Sequence, residues 1–353
     1  MPAPSRREGQ ARGLKVLAPA RSAREVRILL AEGAEEIYCS LAPPGRPGAL
    51  AWMDRPSPAG GPVTSYDELA AMVETAHGRG APLYLALDGV VFGAAQADCA
   101  AETAARCLAL GVDALILAEV GLLHHLLKAG IEAPFHLSSL GSAFNSRAVG
   151  YYASLGARRI ILPRQVTLGE VERLAMAHPA LEFETFVLND GCLYDEGSCR
   201  TSHLQGHFCL LPWAETWERQ GQPLSDEEAG RMARHRSDCQ RLLWAYDNCA
   251  SCLTSAGLPQ GPCALCALWR LYHAGVAAAR IAARDGGLRR RVAGVRLVRA
   301  VLEGIRRGER KRTSQKRALR LRGTPELCAS GYLCYYRDCE GPALAARVGQ
   351  AGP

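Results

Sequence analysis

From residue 14 onward, short apolar runs alternate with stretches of helical periodicity. Runs at 14–20, 36–41, 82–88, 114–118, 134–139, 159–163 and 181–187 are rich in aliphatic residues and read as seven strands. Between them, apolar positions recur at helical spacing over 22–32, 64–77, 96–110, 120–128, 146–155 and 167–177. Thr64 is a predicted cap, and Gly33, Gly111 and Gly156 are predicted stops. A helix at 264–273 and an eighth strand at 276–283 continue the pattern much later in the chain. Strand–helix units repeating at this length point to parallel βαβ structure. Eight of them predict an α/β chain of the (β/α)8 TIM-barrel-like class, with a doubly wound open sheet as the alternative.

The interruptions of that pattern set the predicted organisation. Residues 1–13 form a polar tail, 14–188 hold barrel strands one to seven, and 43–62 form a Pro- and Gly-rich loop. A Cys-rich insertion spans 189–262 between strands seven and eight. Within it, 226–246 reads as a charged surface helix capped by Ser225. Residues 263–284 supply the last barrel unit, and 285–353 form a basic, Cys-containing C-terminal extension. In that extension Val292, Val295, Val298, Leu302 and Ile305 mark one helix face, whereas 311–322 is basic and loses the pattern.

Composition narrows the class further. No apolar run reaches the ~18 residues of a membrane-spanning helix, and the first residues lack the apolar core of a signal peptide. A cytoplasmic location is the expectation. The sequence contains no Gly-x-Ser-x-Gly elbow, no His-Glu-x-x-His and no phosphate-binding Gly-x-x-x-x-Gly-Lys loop. The net charge of +7 is uneven: 285–322 carries 14 Arg or Lys against 3 acids.

The candidate chemistry follows from residue types and their spacing. Fourteen cysteines without an export signal favour metal or redox chemistry over disulfides. Cys192, Cys199 and Cys209 follow directly after strand seven, and two Cys-x-x-Cys pairs follow at Cys249/Cys252 and Cys263/Cys266. The two pairs have the form of a four-thiolate site, suited equally to zinc and to an iron–sulfur cluster. Cys99 and Cys107 lie on a helical pattern and are expected to pack as small hydrophobes. Cys39 ends strand two. Cys328, Cys334 and Cys339 either fold back to the thiol site or pack around neighbouring tyrosines. At the predicted mouth, His136 and Ser138 end strand five, Arg164 follows strand six, and Glu184 lies in strand seven. Glu184 needs a partner if buried, and Arg164 is the expected one, or else a ligand for an anionic substrate. Arg289, Arg290, Arg296, Arg299, Arg306 and Arg307 are consistent with RNA contact, an acidic partner or a solvated face.

The stretch around Cys192 resembles the signature of the collagenase-like peptidase family U32: Glu184, Phe186, Cys192, Gly197, Cys199 and Ser202 match it in order and spacing. Leu17 to Ala20, Glu32 to Ala34, Leu162 to Arg164 and Arg280 with Ile281 are similar to further family positions. The resemblance implies a barrel and, from several members, an oxygen-independent hydroxylase acting on RNA bases or aromatic quinone precursors. It implies a 4Fe–4S cluster on Cys192, Cys199 and Cys209, with Cys249 or Cys252 as fourth ligand. Prephenate is the implied oxygen donor, bound by Arg164, with Glu184 or His136 handling protons. It also implies pairing with another family member or a second copy. A peptidase, or a zinc-stabilised RNA-binding scaffold, is the alternative. Asn189, Asp190, Gly191, Leu140 and Ala282 depart from the family pattern.

Overall fold

The computed structural model describes residues 13–42, 62–89, 92–189, 197, 216–248, 257–258, 261–282, 287–331, 333–336, 338–341 and 343. Eight strands close into one barrel: β1 (Lys15–Pro19), β2 (Glu36–Ser40), β3 (Leu83–Leu87), β4 (Ala114–Leu117), β5 (Phe135–Leu137), β6 (Ala157–Ile161), β7 (Glu182–Leu188) and β10 (Ala278–Ile281). Every neighbouring pair in it is parallel. The ring closes where β1 pairs with β10, with Leu17 beside Arg280. Two two-residue strands, β8 (Glu218–Arg219) and β9 (Gln222–Pro223), form a separate exposed hairpin.

The crossovers are helices α1 (Ala23–Ala31), α2 (Tyr66–His77), α3 (Ala94–Ala109), α4 (Val120–Lys128), α5 (Ser146–Ser154) and α6 (Leu168–Ala177). Their starts are chemically determined. Ser22 and Ser65 accept hydrogen bonds from the amides of Glu25 and Glu68, and Thr167 forms a capping box with Glu170. The second helix therefore begins after Ser65 rather than Thr64. Buried aliphatic residues on the outer strand faces and the helices make the main core, including Leu29, Met72, Leu85, Leu122, Val171 and Val187. Cys39, Cys99 and Cys107 belong to this layer, and burial pushes the Cys107 thiol up to about 12. Cys39 thus faces the helices and not the lumen.

The remaining helices follow the seventh strand. Helix α7 (Asp226–Asn248) starts where Ser225 Oγ accepts from the Glu228 amide and its own amide donates to the Glu228 carboxylate. A 3-10 turn (Leu265–Ala267) leads into α8 (Leu268–His273), where the sequence predicted one continuous helix. Beyond β10 come α9 (Leu288–Arg306), α10 (Lys311–Arg322) and α11 (Pro325–Ser330). Val295, Val298, Leu302 and Ile305 of α9 are buried against the barrel. Helix α10 forms where the apolar pattern fails, because its buried face mixes Ala318 and Leu319 with Ser314, Gln315 and Arg322. No helix among the described residues is long and apolar enough to cross a membrane.

A charged lumen, a covered mouth and a thiol cluster

Side chains alternate across a strand, so every second residue of each barrel strand faces the lumen. Most such positions in a closed barrel are aliphatic. Here Leu17, Ala114, Ile116, Ile161 and Ala278 supply that filling, but Glu36, Tyr38, Tyr84, His136, Arg159, Glu184 and Arg280 are buried there too. The charges form one chain of ion pairs. Arg159 donates to both oxygens of Glu36 at 2.6 and 3.1 Å, to Glu182 at 2.8 Å and to Glu184 at 3.2 Å. Glu184, with no exposed surface, takes its other oxygen to Arg280 at 2.5 Å. An isolated buried charge would be untenable, and alternation of acid and base is what permits this lumen to be ionic.

This pairing corrects the sequence expectation for Glu184, whose partners are Arg159 and Arg280 and not Arg164. The Arg164 guanidinium lies 3.6 Å over the ring of Phe186. Arg280 stacks similarly on Tyr38, also at 3.6 Å. His136 packs edge-on against Tyr84, with centroids 4.6 Å apart. Burial, reinforced by Arg159, Arg280 and Arg158, holds its imidazole well below the usual 6.5. Its Nδ1 is buried and has no hydrogen-bond partner among the described residues. Ser138, just past β5, donates to Asp88, just past β3, at 3.0 Å.

The mouth is covered from two directions. Asn189 ends β7 in the left-handed region at φ 67°, with its amide donating to Pro262 at 2.9 Å. Tyr335, from the far C-terminal segment, donates its hydroxyl to the Asn189 carbonyl and stacks on Phe186 at 6.5 Å. The Cys192-to-Cys199 loop begins here. Its Gly197 is pressed so closely on the turn after β5 that a Cβ would lie 1.7 Å from Ser142 Oγ and 2.7 Å from the Leu140 carbonyl. Glycine at that place in the signature is therefore a packing requirement against the turn after β5. Cys192, Cys199, Cys209, Cys249 and Cys252 lie outside the described residues.

Cys263 and Cys266 gather with the C-terminal cysteines and not with the barrel lumen. Cys263 forms a parallel bridge with Cys334, with backbone bonds from Cys263 to Leu333 at 2.7 Å and from Tyr335 to Cys263 at 3.1 Å. Cys334 Sγ lies 3.3 Å from Cys339 Sγ. Burial pushes the Cys263 and Cys266 thiols up, and Cys334 is raised by its hydrogen bond to Cys339 and by burial. Tyr336 and Leu333 are buried alongside, so the segment both folds back and packs its aromatics.

The basic extension is largely used internally. Arg290 and Arg291 are buried. Arg291 makes bonds of 2.7 and 2.6 Å to the two Glu25 oxygens and one of 2.9 Å to the Pro19 carbonyl. Arg296 pairs with Glu32, Arg299 with Glu303, and Arg306 with Glu35. Arg289 and Arg307 are exposed, and so are Arg310, Arg312, Lys316 and Arg320. The last three recur every fourth residue, so they form one stripe along α10. Sequence reasoning marked 311–322 as basic without arranging it as a stripe, and gave no role to Glu36, Arg159, Arg280, Asp88 or Tyr335. The one visible signal was arginine and glutamate inside otherwise apolar strands.

The chain is similar in sequence to known proteins. The model of peptidase family U32 matches residues 21–341. The tRNA hydroxylation protein P of Helicobacter pylori strain 26695 is 27% identical over 192 residues, covering 54% of this chain and 43% of that protein. Its Escherichia coli K12 namesake is 28% identical over 192 residues, 53% of this chain and 39% of that protein. The matched region is thus less than half the length of these relatives. Among solved structures, the U32 peptidase Mk0906 aligns with a TM-score of 0.40 at 16% identity, covering 52% of this chain and 72% of that one.

Proposed function

Because this chain belongs to peptidase family U32, we propose that it is an RNA-modifying hydroxylase, using a 4Fe–4S cluster held at the mouth of its barrel. The observation that carries the reading is Gly197 of the cysteine signature, which packs against Ser142 and Leu140 just past β5, beside an ionic lumen. Cys192, Cys199 and Cys209, with Cys249 or Cys252, would hold the cluster, and a thiolate set is the donor chemistry such clusters require. When bound, the cluster supplies one-electron chemistry. The matched relatives named for tRNA hydroxylation support RNA as the substrate.

The chain's own residues then divide the work. Arg164, flat on Phe186, presents its edge to an anionic oxygen donor of the prephenate type, where a planar fork pairs bidentately with a carboxylate. Arg280 is held in place by Glu184 and Tyr38. Glu184 is a positioning group, since each of its oxygens is held by a guanidinium. His136, kept neutral by burial and the neighbouring guanidinium charges, offers the lumen a hydrogen-bonding imidazole and no charge. Arg312, Lys316 and Arg320, with Arg289 and Arg307, contact the RNA phosphates. Pairing with a second copy or another family member belongs to the same reading, and mass photometry tests it.

The experiment is nucleoside mass spectrometry of RNA from cells with and without the gene, beside iron and sulfide analysis of the anaerobically isolated chain. A hydroxylated nucleoside that disappears with the gene, and with Cys192→Ala or Arg164→Ala, is the expected result. Unchanged nucleosides would sink the RNA reading. Gelatin cleavage by the cluster-free chain would favour the peptidase instead.

A further inference from the structure

We propose that Cys263, Cys266, Cys334 and Cys339 form a separate structural site for a single thiophilic cation, with zinc as its ligand. The site joins the turn before α8 to the C-terminal segment. The two halves are already joined by backbone: Cys263 and Cys334 are parallel bridge partners, which places their side chains on the same face about 5 Å apart at Cβ. Two of the sulfurs also accept the hydrogen bonds that commonly orient metal thiolates. The Leu265 amide donates to Cys263 Sγ at 3.5 Å, and the Gly341 backbone bonds Cys339, each from two residues downstream. Gly341 also lies against two of the thiols. A Cβ there would meet Cys266 Sγ at 3.0 Å and Cys339 Sγ at 3.4 Å, so sulfurs from distant parts of the sequence flank one bare Cα.

One distance favours an ion over a cluster. A tetrahedron with metal–sulfur bonds of about 2.3 Å has edges of about 3.8 Å. The Cys334–Cys339 separation of 3.3 Å is close to such an edge. A cubane puts each thiolate on a different iron and spreads them further. The four thiols do not yet form a finished shell, since no three metal-binding donors converge among the described residues. Closing it takes side-chain movement at cysteines of which Cys263 and Cys334 are already backbone neighbours. The site uses none of Cys192, Cys199 and Cys209, and it stands whether or not the chain is a hydroxylase.

The test is metal analysis of the full chain isolated without oxygen. Zinc, iron and sulfide are measured for the wild type, for Cys192→Ala/Cys199→Ala, for Cys334→Ser/Cys339→Ser, and for Cys107→Ala as a buried-thiol control. The expectation is about one zinc per chain in the wild type, the Cys192/Cys199 variant and the control, and its loss from the Cys334/Cys339 variant. Cys266→His keeps a ligand and guards against simple misfolding. It should retain the metal, and with cobalt in place of zinc its ligand-field spectrum should shift from four sulfurs to three sulfurs and one nitrogen. A wild type without zinc, zinc retained after Cys334→Ser/Cys339→Ser, iron and sulfide lost in its place, or a Cys334–Cys339 disulfide in the anaerobic chain would each overturn the proposal.

Discussion

In α9 the guanidinium of Arg291 has no exposed surface and is clamped on Glu25, while in α10 Arg312, Lys316 and Arg320 stand open to solvent. The two helices are neighbours in sequence and alike in charge. They differ in what lies opposite. Helix α9 runs beside α1 and its flanks, which present Glu25, Glu32 and Glu35. Helix α10 packs instead on α8, α9 and the 3-10 turn, and turns its basic stripe away. A count of arginines therefore measures neither nucleic-acid affinity nor stability until partners are known.

The most severe test of this contrast is Arg291→Ala. It leaves the buried Glu25 without its main cation, and removal of one partner from such a pair costs roughly 3–5 kcal/mol. The denaturation midpoint should fall accordingly. Next comes Arg312→Ala/Lys316→Ala/Arg320→Ala, expected to leave that midpoint unchanged. Its RNA affinity should weaken across sequences, and the slope of log affinity against log salt should shrink by roughly 0.7–0.9 for each phosphate no longer neutralised. An unchanged slope would remove α10 from the interface.

A third test uses pH. Burial alone would raise the Glu25 carboxyl, but hydrogen bonds and charge from Arg291 and then Arg21 bring it below its usual 4.5. A depressed carboxyl stabilises the fold above its unfolded value, and that contribution disappears as pH falls through the folded value. The wild type should therefore lose stability below about pH 4.5. In Arg291→Ala burial dominates and this acid-induced loss should diminish, as read from unfolding midpoints across the range. The smallest effect is expected for Arg296→Ala, whose solvent-screened pair with Glu32 should scarcely move the midpoint.

The barrel was legible because parallel strands covered on both sides carry continuous apolar runs, as in Leu83–Leu87, where all five residues are buried. The lumen was not. Arg159 and Glu36 are 123 residues apart, and no local pattern joins them. Arg164 followed a strand end and looked like the natural partner for Glu184, yet the β6–β7 and β7–β10 registers bring Arg159 and Arg280 closer. Helix α10 was invisible to an apolar template because it buries Ser314, Gln315 and Arg322, the last donating to the Gly261 carbonyl at 2.7 Å. The return of Cys334 and Cys339 to Cys263 rests on contacts between distant residues, among them the Cys263–Cys334 bridge, that spacing cannot reveal.

The position of Tyr335 has a consequence for how the protein is made. The β1–β10 seam cannot form until residue 281 has left the ribosome, and the mouth is roofed only after residue 335 has followed. At synthesis rates of about 5–20 residues per second, the nascent chain spends several seconds with its charged lumen open at one end. A protein whose earliest strand must wait for its last segment is a candidate for holding by a chaperone, and nascent chains arrested before and after residue 335 should differ in protease resistance at the barrel rim.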